Sequence, residues 1–427
     1  MTDWLEGVNR QLRLAGQKDA TTLRGLKEII FGLWSVMQAS DATIRDYFRS
    51  YPEGDLVKAA SVLDLAGCLA EITAPADNAR ATRAVFKDLA ARLRALENLF
   101  YAEHNGATAK NSAAYEVEFD GRRGYFLDWA PKNRTPGEKG TFAKRALARS
   151  RILPRAIGNA EVKIHVLDDP RGALRASAGA TKLHFGAGLF QDLKFQMQYN
   201  DDGFIVDGVT CAGQAQTIGN QLVAATQAGC SGVVYPELTI TGDVLEGICA
   251  TIAGGELPIE LSLVVAGSRH KKCADGLTRN TATVVDGYGE PKVEQNKFFR
   301  YSEGPKPSES IEPGTELSIV VLADAVLACA ICLDFCHRTE HPPYDDLDVD
   351  LIVVPSCGEV VTMDSHLRKA QDIHLNRKVN TLVVQQFHDG QEPKDADPLG
   401  YILAPHALQA AAASELGTRE PWSIVAV

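Results

Sequence analysis

From about residue 160 onward the chain repeats one pattern: a short apolar run of strand character, a turn, then a segment with helical spacing. Residues 162–166, 233–235, 261–266, 281–285, 317–321, 326–331, 351–354 and 381–385 are the strand candidates; residues 217–228, 244–252 and 365–375 are the helical ones. Strands that are apolar at nearly every position are buried on both faces, and their alternation with helices predicts an α/β domain built on a buried sheet. Residues 317–321 and 326–331 are close enough to pair as neighbours.

The first hundred residues follow a different period. Leu23, Leu26, Ile29, Ile30, Leu33, Trp34 and Met37 recur at helical intervals. Ser40 and Asp41 offer capping side chains before Ile44, Tyr47 and Phe48, residues 52–55 interrupt the pattern, and residues 56–72 and 77–101 give two further helical segments. Between these regions, two strand-like runs flank Asp120-Gly121, a hairpin signal. A polar stretch at 131–139 suits a linker, and a basic helix is expected over about 141–152. The expected organisation is a helical domain over 1–108, a hairpin and linker region over 109–159, and an α/β domain over 160–427.

Charge and composition exclude several functions. The net charge is -11 and no long basic run is present, which argues against a nucleic-acid partner. No apolar stretch is long enough to span a bilayer, and the first residues lack the basic-then-apolar order of a secretory signal. The nine cysteines are odd in number and follow no framework spacing, so reduced thiols in a cytoplasm are expected.

Three apolar strands end on a reactive side chain, where sites gather in α/β folds. After Val233-Val234-Tyr235, Pro236 stops the strand and delivers Glu237; Lys297 precedes Phe298-Phe299; and Cys332 follows Ala330-Ile331. Singly, each is more often a surface carboxylate, a solvated lysine and an inert buried thiol. Cys329, Cys332, Cys336 and His337 also invite a metal reading. Their flanks are strand-core residues, and no second ligand pair with suitable spacing occurs elsewhere. Cys329 and Cys332, taken as one strand, face opposite sides.

In order and spacing, the strand–Pro–Glu segment, the lysine, Ile331-Cys332-Leu333-Asp334 and Val353-Val354-Pro355-Ser356 resemble the nitrilase, or carbon–nitrogen hydrolase, superfamily. The resemblance covers about residues 180–427 and extends to Gly400–Pro405. It implies an α-β-β-α sandwich of two packed sheets flanked by helices, carrying the additional N-terminal helical domain. It also implies a cysteine nucleophile at Cys332, a base and acid at Glu237, and an oxyanion partner at Lys297 aided by the Leu333 amide. Glu309, before the Pro313-Gly314 turn, matches a second glutamate of aliphatic amidases, with Glu303 and Glu312 as alternatives. Substrate contacts would come from Leu333, which replaces an aromatic residue, and from Asp334, His337, Arg338, Cys357 and Glu359. The segments 337–340 and 357–359 depart from common members, so no subfamily's substrate transfers to this chain. The resemblance implies a small amide-type substrate, no cofactor or metal, and a homo-oligomer. The competing expectation is a binding or regulatory protein on an inactive enzyme scaffold, with the helical domain contacting a partner.

Overall fold

The computed structural model describes residues 2–73, 79–103, 114–127, 146–167, 183–201, 203–254, 260–302, 307–322, 325–337, 343–387, 397–409 and 412–427. The chain forms two compact units, Met1–Ala156 with Asn376–Lys378, and Ile157–Leu375 with Val379–Val427.

In the first unit, helices α1 (Thr2–Ala15), α2 (Leu23–Gln38), α3 (Ala42–Arg49), α4 (Glu53–Ala60), α5 (Leu65–Leu69) and α6 (Ala79–Glu103) enclose an apolar core. Val8 and Leu12, Ile29, Ile30 and Leu33, and Phe86, Leu89, Leu93 and Phe100 line it from three helices. Side-chain caps set the helix starts: Thr22 accepts from the Gly25 amide, Asp41 from Thr43 and Asp64 from Gly67. The last of these explains a departure from the expected single helix over 56–72. Asp64 opens a new helix instead of continuing the old one, so the segment divides into α4 and α5. Likewise Pro52 does not end a helix but precedes α4, where its missing amide proton costs nothing.

The expected hairpin is present: β1 (Ala114–Phe119) pairs antiparallel with β2 (Arg122–Leu127), and Asp120 and Gly121 both take positive φ, as a two-residue turn requires. A third strand, β3 (Arg151–Pro154), pairs with β2. The basic helix expected over 141–152 is therefore corrected at its described end, because Arg151 and Ile152 are strand residues. The cause is Glu97, buried on α6, whose carboxylate accepts the amides of Ala148, Arg149 and Ser150 at 2.7, 2.8 and 2.7 Å. These amides are thereby drawn out of any helical ladder. The linker at 131–139 lies outside the described residues.

The second unit has two large sheets. One contains β6 (His184–Gly188), β9 (Gly232–Val234), β10 (Leu263–Lys272), β11 (Thr278–Asp286), β12 (Pro291–Asn296) and β19 (Trp422–Ala426), in the order β12-β11-β10-β9-β6-β19. The other contains β4 (Ala156–Ile157), β5 (Ala160–Val166), β13 (Glu316–Val321), β14 (Val326–Cys329), β15 (Leu351–Cys357), β16 (Asn380–Gln386), β17 (Gly400–Leu403) and β18 (Gly417–Thr418), in the order β18-β17-β16-β15-β14-β13-β5-β4. Alternate residues of both sheets meet in one core: Phe185, Val234, Val265 and Val284 from the first, and Val320, Leu327, Val353 and Val384 from the second. On the outer face of the first sheet, Val233, Val264 and Val285 pack with Ile218 and Leu222 of α7 (Gln214–Gln227) and Leu245 and Ile248 of α8 (Gly242–Ala253). Beside the second sheet runs α9 (Val360–Arg377), whose buried His366 bonds Ser356 of β15. The expected four-layer sandwich is thus the architecture of this unit.

A separate hairpin of β7 (Lys194–Asn200) and β8 (Gly203–Thr210) joins the segment that carries Glu309: Phe204 donates its amide to Ser308 and accepts from Ser310, both at 2.8 Å. Among the described residues, no helix is long and apolar enough to cross a membrane.

Candidate active site

Glu237, Lys297 and Cys332 each sit just beyond the end of a strand. β9 ends at Val234, and the chain bends so that Leu238 takes φ 61°, directly after Glu237. The neighbouring strand yields to this bend. β10 carries a bulge between Val265 and Ser268, and Gly267, at φ 55°, lets its backbone approach Pro236. A β-carbon there would lie 2.2 Å from the Pro236 carbonyl oxygen. Lys297 follows β12, its amide donating to Asn280 and its carbonyl accepting from Gly314.

Cys332 lies in neither strand nor helix. β14 stops at Cys329, and Cys332 caps the short helical turn Leu333–Cys336 with φ 44° and ψ -108°. The reading of Cys329 and Cys332 as one strand is therefore corrected. A non-glycine residue at such angles costs on the order of 1–3 kcal/mol, a strain that folds retain mainly at functional positions.

The geometry brings Glu237, Lys297 and Glu309 together. The Lys297 Nζ donates to Glu237 Oε1 at 2.9 Å and to Glu309 Oε2 at 2.8 Å, and all three side chains are almost wholly buried. Further donors meet both carboxylates, four bonds in all on Glu309 and three on Glu237 among the described residues. Asn280 Nδ2 reaches Glu237 Oε1 and Glu309 Oε1, each at 2.9 Å. The Cys357 amide meets Glu237 Oε2 at 3.1 Å, the Tyr301 amide meets Glu309 Oε2 at 3.0 Å, and His270 Nε2 lies 2.8 Å from Glu309 Oε1. Cys332 joins through the same residue that holds Glu237: its Sγ lies 3.7 Å from the Cys357 carbonyl oxygen, and its amide donates to Pro355.

Burial opposes charge on Lys297, yet the two carboxylates outweigh it and hold the ammonium well above its ordinary pKa. Burial likewise opposes ionisation of Glu309, but Lys297 and the His270 hydrogen bond pull its pKa below the ordinary carboxylate range. Burial and the Glu237 charge push the Cys332 thiol well up, against the pull of Lys297. This thiol keeps its proton until a base removes it.

The other expected site residues differ in placement. Asp334 is fully buried and braces the lysine loop: its Oδ1 accepts from the Phe298 and Phe299 amides, both at 2.9 Å. Burial pushes its carboxyl up to about 8. This is the place of a structural tie between the Lys297 and Cys332 segments rather than of a group facing a ligand. His337 stacks on Phe299 with ring centroids 4.5 Å apart. Leu333 and Cys357 are half-buried, and Glu359 is exposed at the start of α9. Glu312 stands apart, half-exposed beside Arg300 at 3.8 Å. Glu303 and Arg338 lie outside the described residues. Among the described residues, no group of three or more His, Cys, Asp or Glu side chains is arranged to hold a metal ion.

Asn280 and His270 were not legible as site residues. Both lie inside strands, in polar stretches (His270-Lys271-Lys272 and Thr278-Arg279-Asn280) that read as solvent-facing ends. The only signal was pairing: the two face each other across β10 and β11.

No family model matches the sequence, and no curated protein matches it. Solved structures do resemble the chain in part. A mutant of the amidase from Nesterenkonia sp. AN1, with an acetamide moiety added covalently at its active-site cysteine, has 12% identity and a TM-score of 0.41, over 57% of this chain and 90% of that one. Nit3 from Saccharomyces cerevisiae, a member of branch 10 of the nitrilase superfamily, has 14% identity and a TM-score of 0.40, over 58% and 89%. The glutamine-dependent NAD+ synthetase from Acinetobacter baumannii has 18% identity and a TM-score of 0.41; the matched region spans 57% of this chain and 45% of that one. At this level of likeness the chemistry of the site rests on its own residues.

Proposed function

We propose that the second unit hydrolyses a carbon–nitrogen bond in a small amide-type substrate, through a thioester formed at Cys332. One observation carries this reading: a strained, thiol-bearing turn and a carboxylate both meet the backbone of Cys357, at its carbonyl and its amide respectively, and the same carboxylate is paired with a buried ammonium.

Amides are weak electrophiles, and a covalent intermediate divides their hydrolysis into two easier steps. Attack by Cys332 Sγ forms the S–C bond as Glu237 takes the thiol proton. Glu237 then passes that proton to the leaving nitrogen as the C–N bond breaks. Water attacks the thioester, gives a proton to Glu237, and the acid leaves as the thiol is restored. A thiol held well above its ordinary pKa suits proton transfer during attack better than a standing thiolate. Lys297 has three ammonium protons and two carboxylate partners, so one N–H remains for the developing oxyanion. The Leu333 amide, first in its helical turn and without an intrahelical acceptor, is a second donor. Removing one such donor typically costs about 3–4 kcal/mol of barrier. No step calls on a cofactor.

The test is ammonia release over a panel of small primary amides and carbamoyl compounds. The wild type should turn over at least one of them, and Cys332→Ala should abolish turnover with an unchanged circular dichroism spectrum. Labelling with iodoacetamide should single out Cys332 among the nine thiols, and Glu237→Gln should remove that preference. Full activity in Cys332→Ala would overturn the assignment. Uniformly slow labelling with no turnover would favour an inactive scaffold.

A further inference from the structure

His270 is buried between the β7–β8 hairpin and Glu309, and its two ring nitrogens have different partners. Nδ1 lies 2.7 Å from the Val206 amide nitrogen of β8, and Nε2 lies 2.8 Å from Glu309 Oε1. A peptide N–H can only donate, so Nδ1 must accept and carries no proton. Nε2 then bears the proton and donates to the carboxylate. The opposite tautomer would set N–H against N–H at Val206 and a lone pair against a carboxylate at Glu309. The imidazolium would keep the second bond and lose the first. Asn280 is its register partner on β11, and the Phe204 ring lies 6.5 Å away between centroids.

All four hydrogen bonds into Glu309 then come from donors arranged around the plane of the carboxylate: His270 and Asn280 on Oε1, Lys297 and Tyr301 on Oε2. Without His270, Oε1 keeps only the Asn280 donor, which it shares with Glu237, so the carboxylate is held less firmly and Lys297 with it.

We propose that His270 is a positioning residue, a neutral imidazole locked as the Nε2–H tautomer by the Val206 amide, which fixes the Glu309 carboxylate and through it the Lys297 ammonium. The inference rests on the proposed amide hydrolysis for its consequence, although the tautomer itself does not. It makes the β7–β8 hairpin part of the site, since both the Val206 amide and the backbone clasp of Phe204 on residues 308–310 belong to it.

The test has two arms on the full chain. In the first, selective 15N-histidine labelling at pH 7 should show His270 with a protonated Nε2 and an unprotonated Nδ1. A His270 resonance with a protonated Nδ1 at that pH would overturn the proposal. In the second, the rate of Cys332 alkylation by iodoacetamide is measured at the same pH. His270→Leu should slow it about 10- to 100-fold, the scale of a misplaced reacting group. His270→Gln, whose amide can accept from Val206 and donate to Glu309 together, should keep the wild-type rate. If His270→Leu fails to fold, His270→Gln decides: retention supports the proposal, and loss overturns it. Wild-type Cys332 that labels no faster than other thiols would instead refute the proposed hydrolysis, leaving the tautomer measurement to stand alone.

Discussion

Replacing Lys297 with methionine tests the electrostatic core of the site. The substitution keeps the apolar stem and removes the charge. Two buried carboxylates, Glu237 and Glu309, then share the Asn280 Nδ2 with no cation between them. Breaking a buried ion pair by deleting one partner costs about 3–5 kcal/mol, because the other charge stays behind uncompensated. For a unit of this size that is a fall of roughly 6–20 °C in melting temperature. The loss must also depend on pH, and its sign follows from the two groups. Glu309 is held below its ordinary value of 4.5, so its contribution is present above pH 4.5 and fades as pH falls toward its folded pKa. Lys297 is held above 10.5, so its contribution is present below pH 10.5 and fades as pH rises toward its folded pKa. Both act in full at pH 7. In Lys297→Met, Glu309 loses the cation that held it ionised and takes up a proton more readily as pH falls, relieving the repulsion. Thermal melts followed by circular dichroism at pH 7 and pH 5 should therefore show the gap to wild type narrowing at the lower pH. Adding Glu309→Gln to Lys297→Met should recover part of the loss at pH 7. A single variant that melts with the wild type at pH 7, or a gap that ignores pH, would refute the account of these groups as a compensated buried cluster.

Three further perturbations follow. Gly267→Ala puts a β-carbon 2.2 Å from the Pro236 carbonyl oxygen at a left-handed φ; it should cost about 2 kcal/mol or more and slow Cys332 labelling by displacing the Glu237 turn, and an unchanged melt would contradict it. Glu97→Gln exchanges a carboxylate that receives three consecutive amides for a group with one acceptor oxygen; a loss of about 3 kcal/mol is expected in denaturant melts. Asp334, pushed up to about 8 from 3.8, favours the folded state most fully below pH 3.8, and that advantage drains away as pH rises to about 8. The wild type should therefore lose stability relative to Asp334→Asn over that interval in urea titrations and stay level above it; a flat difference would refute the shifted titration.

The parts legible in the sequence were those with strong local patterning. Apolar runs such as residues 351–354 read as buried strands, and Glu237 and Cys332, placed just after such runs, became site candidates through position taken together with the family resemblance. What escaped had a different or weaker local pattern. β7 reads Lys-Phe-Gln-Met-Gln-Tyr-Asn, an alternation that fits a strand with one packed face and was passed over beside the continuous apolar runs; it pairs with β8. Asn280 and His270 were missed because a polar residue inside a strand reads as solvent-facing until the bulge at Val265 and Ser268 is known to redirect the register. The end of the basic segment at Arg151 was missed because its competitor, Glu97, lies over fifty residues away. Glu309 was preferred over Glu312 on its position before the Pro-Gly turn; the structure adds that, of the two, Glu309 is buried against the lysine and Glu312 is half-exposed.

The last residues of β15 act as a ruler. The Pro355 carbonyl holds the Cys332 amide, the Ser356 carbonyl holds the Glu237 amide, and the Cys357 backbone offers its carbonyl oxygen to the sulfur and its amide to the carboxylate. Sulfur and carboxylate belong to segments from opposite sheets, yet their separation is graduated by three consecutive peptide units of fixed length. Drift between the sheets, or a repacked apolar layer, would be absorbed elsewhere before it altered that interval. A single residue inserted or deleted within β15 would shift the scale itself, and no adjustment of side chains would restore it.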